Sequence, residues 1–161
     1  MKKIPSIMIV VWGIAVLCTL FLSSCKRPEV LDNSTLVNSA RNVALTFGPA
    51  YVPFFKEANV SDVQVFKKKD YGGDSRPQIR KQIGRKFYTV TFTYDSTAVK
   101  FDFGFAARVR IWKDTGEPLD VIFGNGWGRN FFFLSFKEQT DHSANDYEKV
   151  ASDSIVKVPL Q

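Results

Sequence analysis

The sequence predicts an α+β fold, an N-terminal helix packed on one face of an antiparallel β-meander of four to six strands. Three observations carry that expectation. Apolar residues between Ser34 and Phe47 recur at three- and four-residue spacing. From Lys86 onward they recur at every second residue. Glycine, proline and Asn-Gly signals then cut this second region into short pieces.

The helix is written by Leu36, Val37, Ala40, Val43, Ala44 and Phe47, behind a capping-competent Asn33 or Ser34, and Gly48-Pro49 ends it. "AYVPFFKEA" is apolar but broken by Pro53, so it reads as a turn of helix or a packed loop. Val63, Val65 and Phe66 mark a first strand. "KKKDYGGDSRPQIRKQIGRK" reads as a basic loop punctuated by Gly72, Gly73 and Pro77. Residues 86 to 94 alternate, with Tyr88, Val90, Phe92 and Tyr94 on one side and Thr89, Thr91 and Thr93 on the other. Residues 99 to 113 alternate again, "KDTGEP" is a tight turn, residues 119 to 123 form a further strand, and Asn125-Gly126 is a strong hairpin signal before the return strand "WGRNFFFLSF".

The turns fix registers that can be compared. A turn at Ser96-Thr97 sets Phe92 opposite Phe101; one at Asp114 to Gly116 sets Ile111 opposite Leu119 and Val109 opposite Val121; one at Asn125-Gly126 sets Leu119 opposite Phe132. All three gather apolar residues on one face: Tyr88, Val90, Phe92, Phe101, Phe103, Phe105, Val109, Ile111, Leu119, Val121, Phe123, Phe132 and Leu134. The helix is the natural cover for that face. The order of helix then meander is coarsely similar in architecture to cystatin-like and nuclear-transport-factor-like folds.

The opposite face then carries Arg108, Arg110, Trp112, Trp127, Arg129 and Phe131, with Arg110 directly across from Asp120. Tryptophan, arginine and phenylalanine together are the composition of interface hot spots, so these six residues form a candidate binding face. The competing reading is that the C-terminal segment or the basic loop folds across the face and buries it.

The first 24 residues have a different character. Met1, Lys2 and Lys3 precede a 16-residue apolar run from Ile7 to Leu22, in the charged, apolar, small-residue order of a secretory signal. The run is short of the roughly 20 residues a membrane-spanning helix needs. Leu22-Ser23-Ser24-Cys25 resembles the lipobox of bacterial lipoproteins, which implies a diacylglycerol thioether on Cys25, cleavage before it and acylation of the new amino terminus. Cys18 follows Leu17 and fails that pattern. The resemblance divides the chain into a signal peptide at 1–24, a lipidated tether at 25–33 and one domain at 34–161. Lys26 and Arg27, not Asp, follow the lipid site, and no acidic cluster follows it. By the sorting rules of that family this implies the outer membrane of a Gram-negative envelope, with the domain facing the periplasm.

Removing residues 1–24 leaves 137, enough for one domain with its own core. With Cys18 removed and Cys25 lipidated, no thiol is left for a disulfide. The signal also takes two lysines from the 22 basic residues, leaving 20 against 16 acidic, a net charge of +4. The basic charge is concentrated between Lys67 and Lys86, where Lys67, Lys68, Lys69, Arg80, Lys81, Arg85 and Lys86 are candidate contacts to an anionic surface. In the periplasm that surface is lipid headgroups or an acidic protein, and nucleic acid is not expected.

Enzyme chemistry is poorly represented. His142 is the single histidine, so neither a multi-histidine metal site nor a Ser-His-Asp set has its parts, and no cofactor is expected. "GNGWGR" precedes a strand and not a helix, so it is a hairpin turn and not a dinucleotide fingerprint. Asp95 with Asp102 could supply the carboxylate pair of a small cell-wall hydrolase, although nothing in the spacing favours it. The reading that follows is a non-enzymatic, membrane-tethered binding or assembly module. The alternatives are an inhibitor or immunity-type lipoprotein that covers a partner, and the hydrolase.

Overall fold

A computed structural model describes residues 31–74, 76–140 and the backbone of 156–157. They belong to one of two units of the chain, Leu31–Gln161, the other being Met1–Val30. The signal segment, Cys25 and His142 lie outside the described residues.

Helix α1 (Asn33–Phe47) is capped one residue earlier than the sequence suggested. The Asp32 carboxylate accepts from the Thr35 N–H at 2.7 Å, and that bond holds its pKa below the usual aspartate value. Leu36, Ala40, Val43, Ala44 and Phe47 are its buried stripe. It ends where Gly48 donates to the Ala44 carbonyl at 2.9 Å; a Cβ on Gly48 would run into the Phe123 ring.

The "AYVPFF" piece is a 3₁₀ turn, Pro49–Phe54, whose Tyr51 is fully buried and stacks on Phe123 with ring centroids 4.7 Å apart. Burial, helped by the charge of Asp102, pushes the Tyr51 hydroxyl up to about 12. That hydroxyl makes no hydrogen bond among the described residues. A buried donor without a partner costs about 1–3 kcal/mol, so Tyr51→Phe should raise stability by about 1 kcal/mol in a urea melt. A loss of that size would mean the hydroxyl is bonded.

The main sheet contains β1 (Ala58–Val60), β2 (Gln64–Val65), β3 (Lys86–Phe92), β5 (Ala107–Trp112), β6 (Pro118–Phe123) and β7 (Gly128–Asn130), all pairings antiparallel. The order is β1-β3-β5-β6-β7, with β2 sharing the β3 edge beside β1. A separate two-stranded pair joins β4 (Val99–Lys100) to β8 (Val156–Lys157). The α+β expectation of a helix on an antiparallel meander therefore holds. The main core lies between α1 and the sheet, where Val90, Phe92, Val109, Ile111, Val121 and Phe123 meet Leu36, Ala40, Val43, Ala44 and Phe47.

Each predicted hairpin differs in an instructive way. At the first, Phe92 pairs with Ala107 and not Phe101. Residues 93–106 leave the sheet through a turn in which the Asp95 carboxylate accepts from Thr97 N–H and Oγ1, and the strand resumes where Ala106 donates to Phe92 O. The displacement is six residues, an even number, so Val109 and Ile111 keep their predicted face. Phe101 packs beside Tyr51 and Tyr94, whereas Phe103, expected in the core, is 45% exposed.

At the second hairpin Val109 pairs with Val121 and Arg110 with Asp120 as expected, but a bulge after Arg110 sets Ile111 opposite Pro118. Leu119 consequently packs with Trp112 and Phe87, away from the helix. The third hairpin slips by one residue. Phe123 N–H donates to Trp127 O and Gly126 takes φ +84°, giving a three-residue loop in place of the two-residue Asn-Gly turn. A one-residue slip exchanges the faces. Trp127 and Phe131 pack against the helix-side core, Phe132 goes to the outer side, and Leu134 is 49% exposed.

Candidate binding groove

The outer face of the sheet begins with a second apolar cluster: Phe66, Ile79, Phe87, Trp112 and Leu119, with Tyr71 and Phe132 beside it. Phe66 and Ile79, each at most 1% exposed, belong to or border the basic segment. That segment is folded, not an open loop. It forms a 3₁₀ turn at Lys68–Tyr71 and a short helix at Pro77–Arg80, and it is tied down by Phe66 N–H to Arg85 O (2.8 Å) and Gly84 N–H to Phe66 O (2.9 Å). Three apolar side chains among eight cations thus seat it on Phe87 and Trp112.

Seating the segment sorts its charges. The Arg85 guanidinium lies 4.0 Å from the Trp112 ring centroid and is held by Asp114 at 3.0 and 2.6 Å, so it faces inward. The Asp114 carboxyl is lowered by that same hydrogen bond. Arg76 pairs with Asp74 and covers Phe133. Lys67, Lys68, Lys69, Arg80, Lys81 and Lys86 are exposed and make no ion pair with the described residues.

Between this segment and the sheet runs a groove of two adjoining hollows, of about 390 and 460 Å³. Gln64, Asp70 and Arg110 line both; Lys67 and Lys69 belong to the first, Thr89, Thr91 and Arg108 to the second. Strand pairing generates this arrangement, because Thr89 lies opposite Arg110, Thr91 opposite Arg108, and Arg110 opposite Asp120. Arg110 is fixed by the Asp120 carboxylate, its Nε donating at 2.9 and 3.1 Å and its Nη2 adding a third bond. Burial pulls the Arg110 guanidinium down, but the bonds and charge of Asp120 outweigh it and the net shift is upward. Arg108 is exposed and lies 4.2 Å from the Phe105 ring centroid.

The six residues expected on one binding face are therefore divided. Arg108 and Arg110 lie in the groove. Trp112, 5% exposed, is covered by the basic segment, and its remaining edge joins Phe131 and Phe132 in another hollow of about 420 Å³. Trp127 stacks on Phe123, and Phe131 lies 5.6 Å from Phe47 on the helix side. Arg129 pairs with Val121 at the strand parity of Trp127 and Phe131, and burial lowers its pKa. The residues missed were Gln64, Asp70, Thr89 and Thr91. The threonines lie on the side of the strand opposite its apolar alternation, and the signal that points to them is Phe66, Tyr71 and Ile79, apolar residues in a charged run that must pack somewhere.

No group of His, Cys, Asp and Glu among the described residues stands in a metal-holding arrangement, and no helix among them is long and apolar enough to cross a membrane. Comparison with protein-family models, curated proteins and solved structures finds no match to this chain.

Proposed function

We propose that this chain is a non-enzymatic binding module, tethered through a lipid on Cys25 to the outer membrane of a Gram-negative envelope and facing the periplasm, where its basic segment rests on an anionic surface. The observation that carries the surface contact is the sorting of charge in residues 67–86: Lys68, Arg80, Lys81 and Lys86 are exposed and make no ion pair with the described residues, while Phe66, Tyr71 and Ile79 face the sheet. Val65 and Ile83, 42% and 45% exposed, lie on the two backbone stretches joined at Phe66 and Gly84, so aliphatic side chains sit among the cations. Each Lys or Arg near an anionic bilayer contributes about 1 kcal/mol, and exposed aliphatics add burial at the interface. The Leu22 to Cys25 resemblance supports the anchor independently of this surface.

Both apolar clusters are built from residues 31 to 136, so the chain from Lys26 onward carries its whole described core. Without lipid, that chain is expected to co-sediment with vesicles containing anionic phospholipid, to ignore neutral vesicles, and to be released as salt shortens the Debye length to a few ångströms. Replacing Lys68, Arg80, Lys81 and Lys86 by Glu should abolish binding. Equal binding to neutral vesicles would contradict the surface. For the anchor, mass spectrometry of the membrane-extracted protein should find an acylated amino terminus at Cys25, and a soluble, unmodified mature form in wild-type cells would contradict it.

A further inference from the structure

We propose that the groove between the basic segment and the outer face of the sheet is a binding site for a phosphorylated saccharide. The inference stands apart from the anchor and from surface docking, because it rests on the groups of the segment that line the groove, Lys67, Lys69 and Asp70, and on strands β3 and β5, whereas docking is tested at Lys68, Arg80, Lys81 and Lys86.

The first argument is charge. Arg110 is neutralised by Asp120, which leaves Lys67, Lys69 and Arg108 against Asp70, an excess of two positive charges and a match for the dianion of a phosphate monoester. Guanidinium and ammonium groups of this kind are the usual partners of phosphate oxygens. Arg108 is also oriented before any ligand arrives, since its guanidinium rests on the Phe105 ring, which lowers the ordering cost of binding.

The second argument is the set of neutral groups beside those cations. The Thr89 and Thr91 hydroxyls and the Gln64 amide make no side-chain hydrogen bond among the described residues, and all three line the hollow that contains Arg108. Asp70 uses one carboxylate oxygen to accept from the Lys67 N–H at 2.6 Å and has the other for a ligand. Hydroxyls, an amide and a carboxylate around one hollow both give and take hydrogen bonds, which is what a polyol requires. Phe87, the ring that lines the groove, is 3% exposed, so no aromatic face is offered on which a nucleobase could stack. A sugar phosphate uses both the cations and the neutral groups; a simple anion uses the cations alone, and a nucleotide would leave its base without a stacking partner.

The test is calorimetric titration of the full chain in neutral detergent with glucose 6-phosphate, inorganic phosphate and glucose. Glucose 6-phosphate should bind about tenfold more tightly than phosphate, and glucose more weakly than either. Arg108→Ala should weaken glucose 6-phosphate about tenfold or more, the loss expected for one charge-assisted contact. Thr91→Val should weaken glucose 6-phosphate severalfold and leave phosphate unchanged, which separates the hydroxyl contact from the cationic contacts. Lys137→Ala, distant from the groove, should change nothing. Phosphate binding as tightly as glucose 6-phosphate, or Arg108→Ala binding like wild type, would overturn the site. Vesicle binding by Arg108→Ala reports on the surface alone, so its loss or retention distinguishes failure of the docking reading from failure of the groove.

Discussion

Phe66→Ala is expected to cost about 3–5 kcal/mol of folding stability, the range for a buried phenylalanine whose cavity cannot collapse. Phe66 is fully buried, and its ring centroid lies 5.7 Å from Trp112, 5.6 Å from Phe132 and 6.4 Å from Phe87. It joins the basic segment to the sheet from both sides, through these rings and through its own backbone bonds to Gly84 and Arg85. Its truncation should therefore be felt unevenly. The amides of Phe66 and Gly84 should exchange much faster, while those of α1 slow or quicken only with global stability. A urea melt measures the first effect and native-state hydrogen exchange the second. A loss below about 1 kcal/mol would mean that the segment is not seated on the outer face.

Asp120→Ala should be comparably severe, about 3–5 kcal/mol, because it leaves the Arg110 guanidinium largely buried without its counter-charge. Asp120 is 5% exposed, and the Arg110 side chain is 16% exposed. The informative companion is the double substitution Arg110→Met with Asp120→Leu. Apolar residues of similar volume commonly replace a buried pair at little cost, so the double variant should recover most of the stability lost by the single one. Melts of the three proteins side by side decide this. Equal losses for single and double variants would mean that packing at these positions, and not an uncompensated charge, dominates.

Much of this fold was legible because its signals were periodic and redundant. Leu36, Ala40, Val43, Ala44 and Phe47 specify a helical stripe, and the helix forms where they lie. The Arg110–Asp120 pair could be deduced because "KDTGEP" closes the hairpin next to it and a parity error there would have buried Arg108 and Arg110. What failed was local chemistry with two solutions. Asn125-Gly126 serves a two-residue turn or the end of a three-residue one, and the choice moves Trp127 and Phe131 to the opposite face. Phe101, Phe103 and Phe105 alternate as a strand does, yet of residues 99–105 the strand pairing is confined to Val99–Lys100, and Phe101 fills space beside Tyr51 instead. The groove was harder still to foresee, since its walls come from the segment at Gln64 to Asp70 and from strands β3 and β5, and meet because Phe66 and Ile79 find Phe87 and Trp112.

The seating of the basic segment is the central claim, since the outward cations and the groove both follow from it. The most direct measurement is the nuclear Overhauser effect between the Phe66 ring protons and the Trp112 indole in the full chain. A strong cross-peak is expected from rings 5.7 Å apart in an edge-to-face arrangement. An absent cross-peak, together with a Trp112 indole open to solvent, would contradict it.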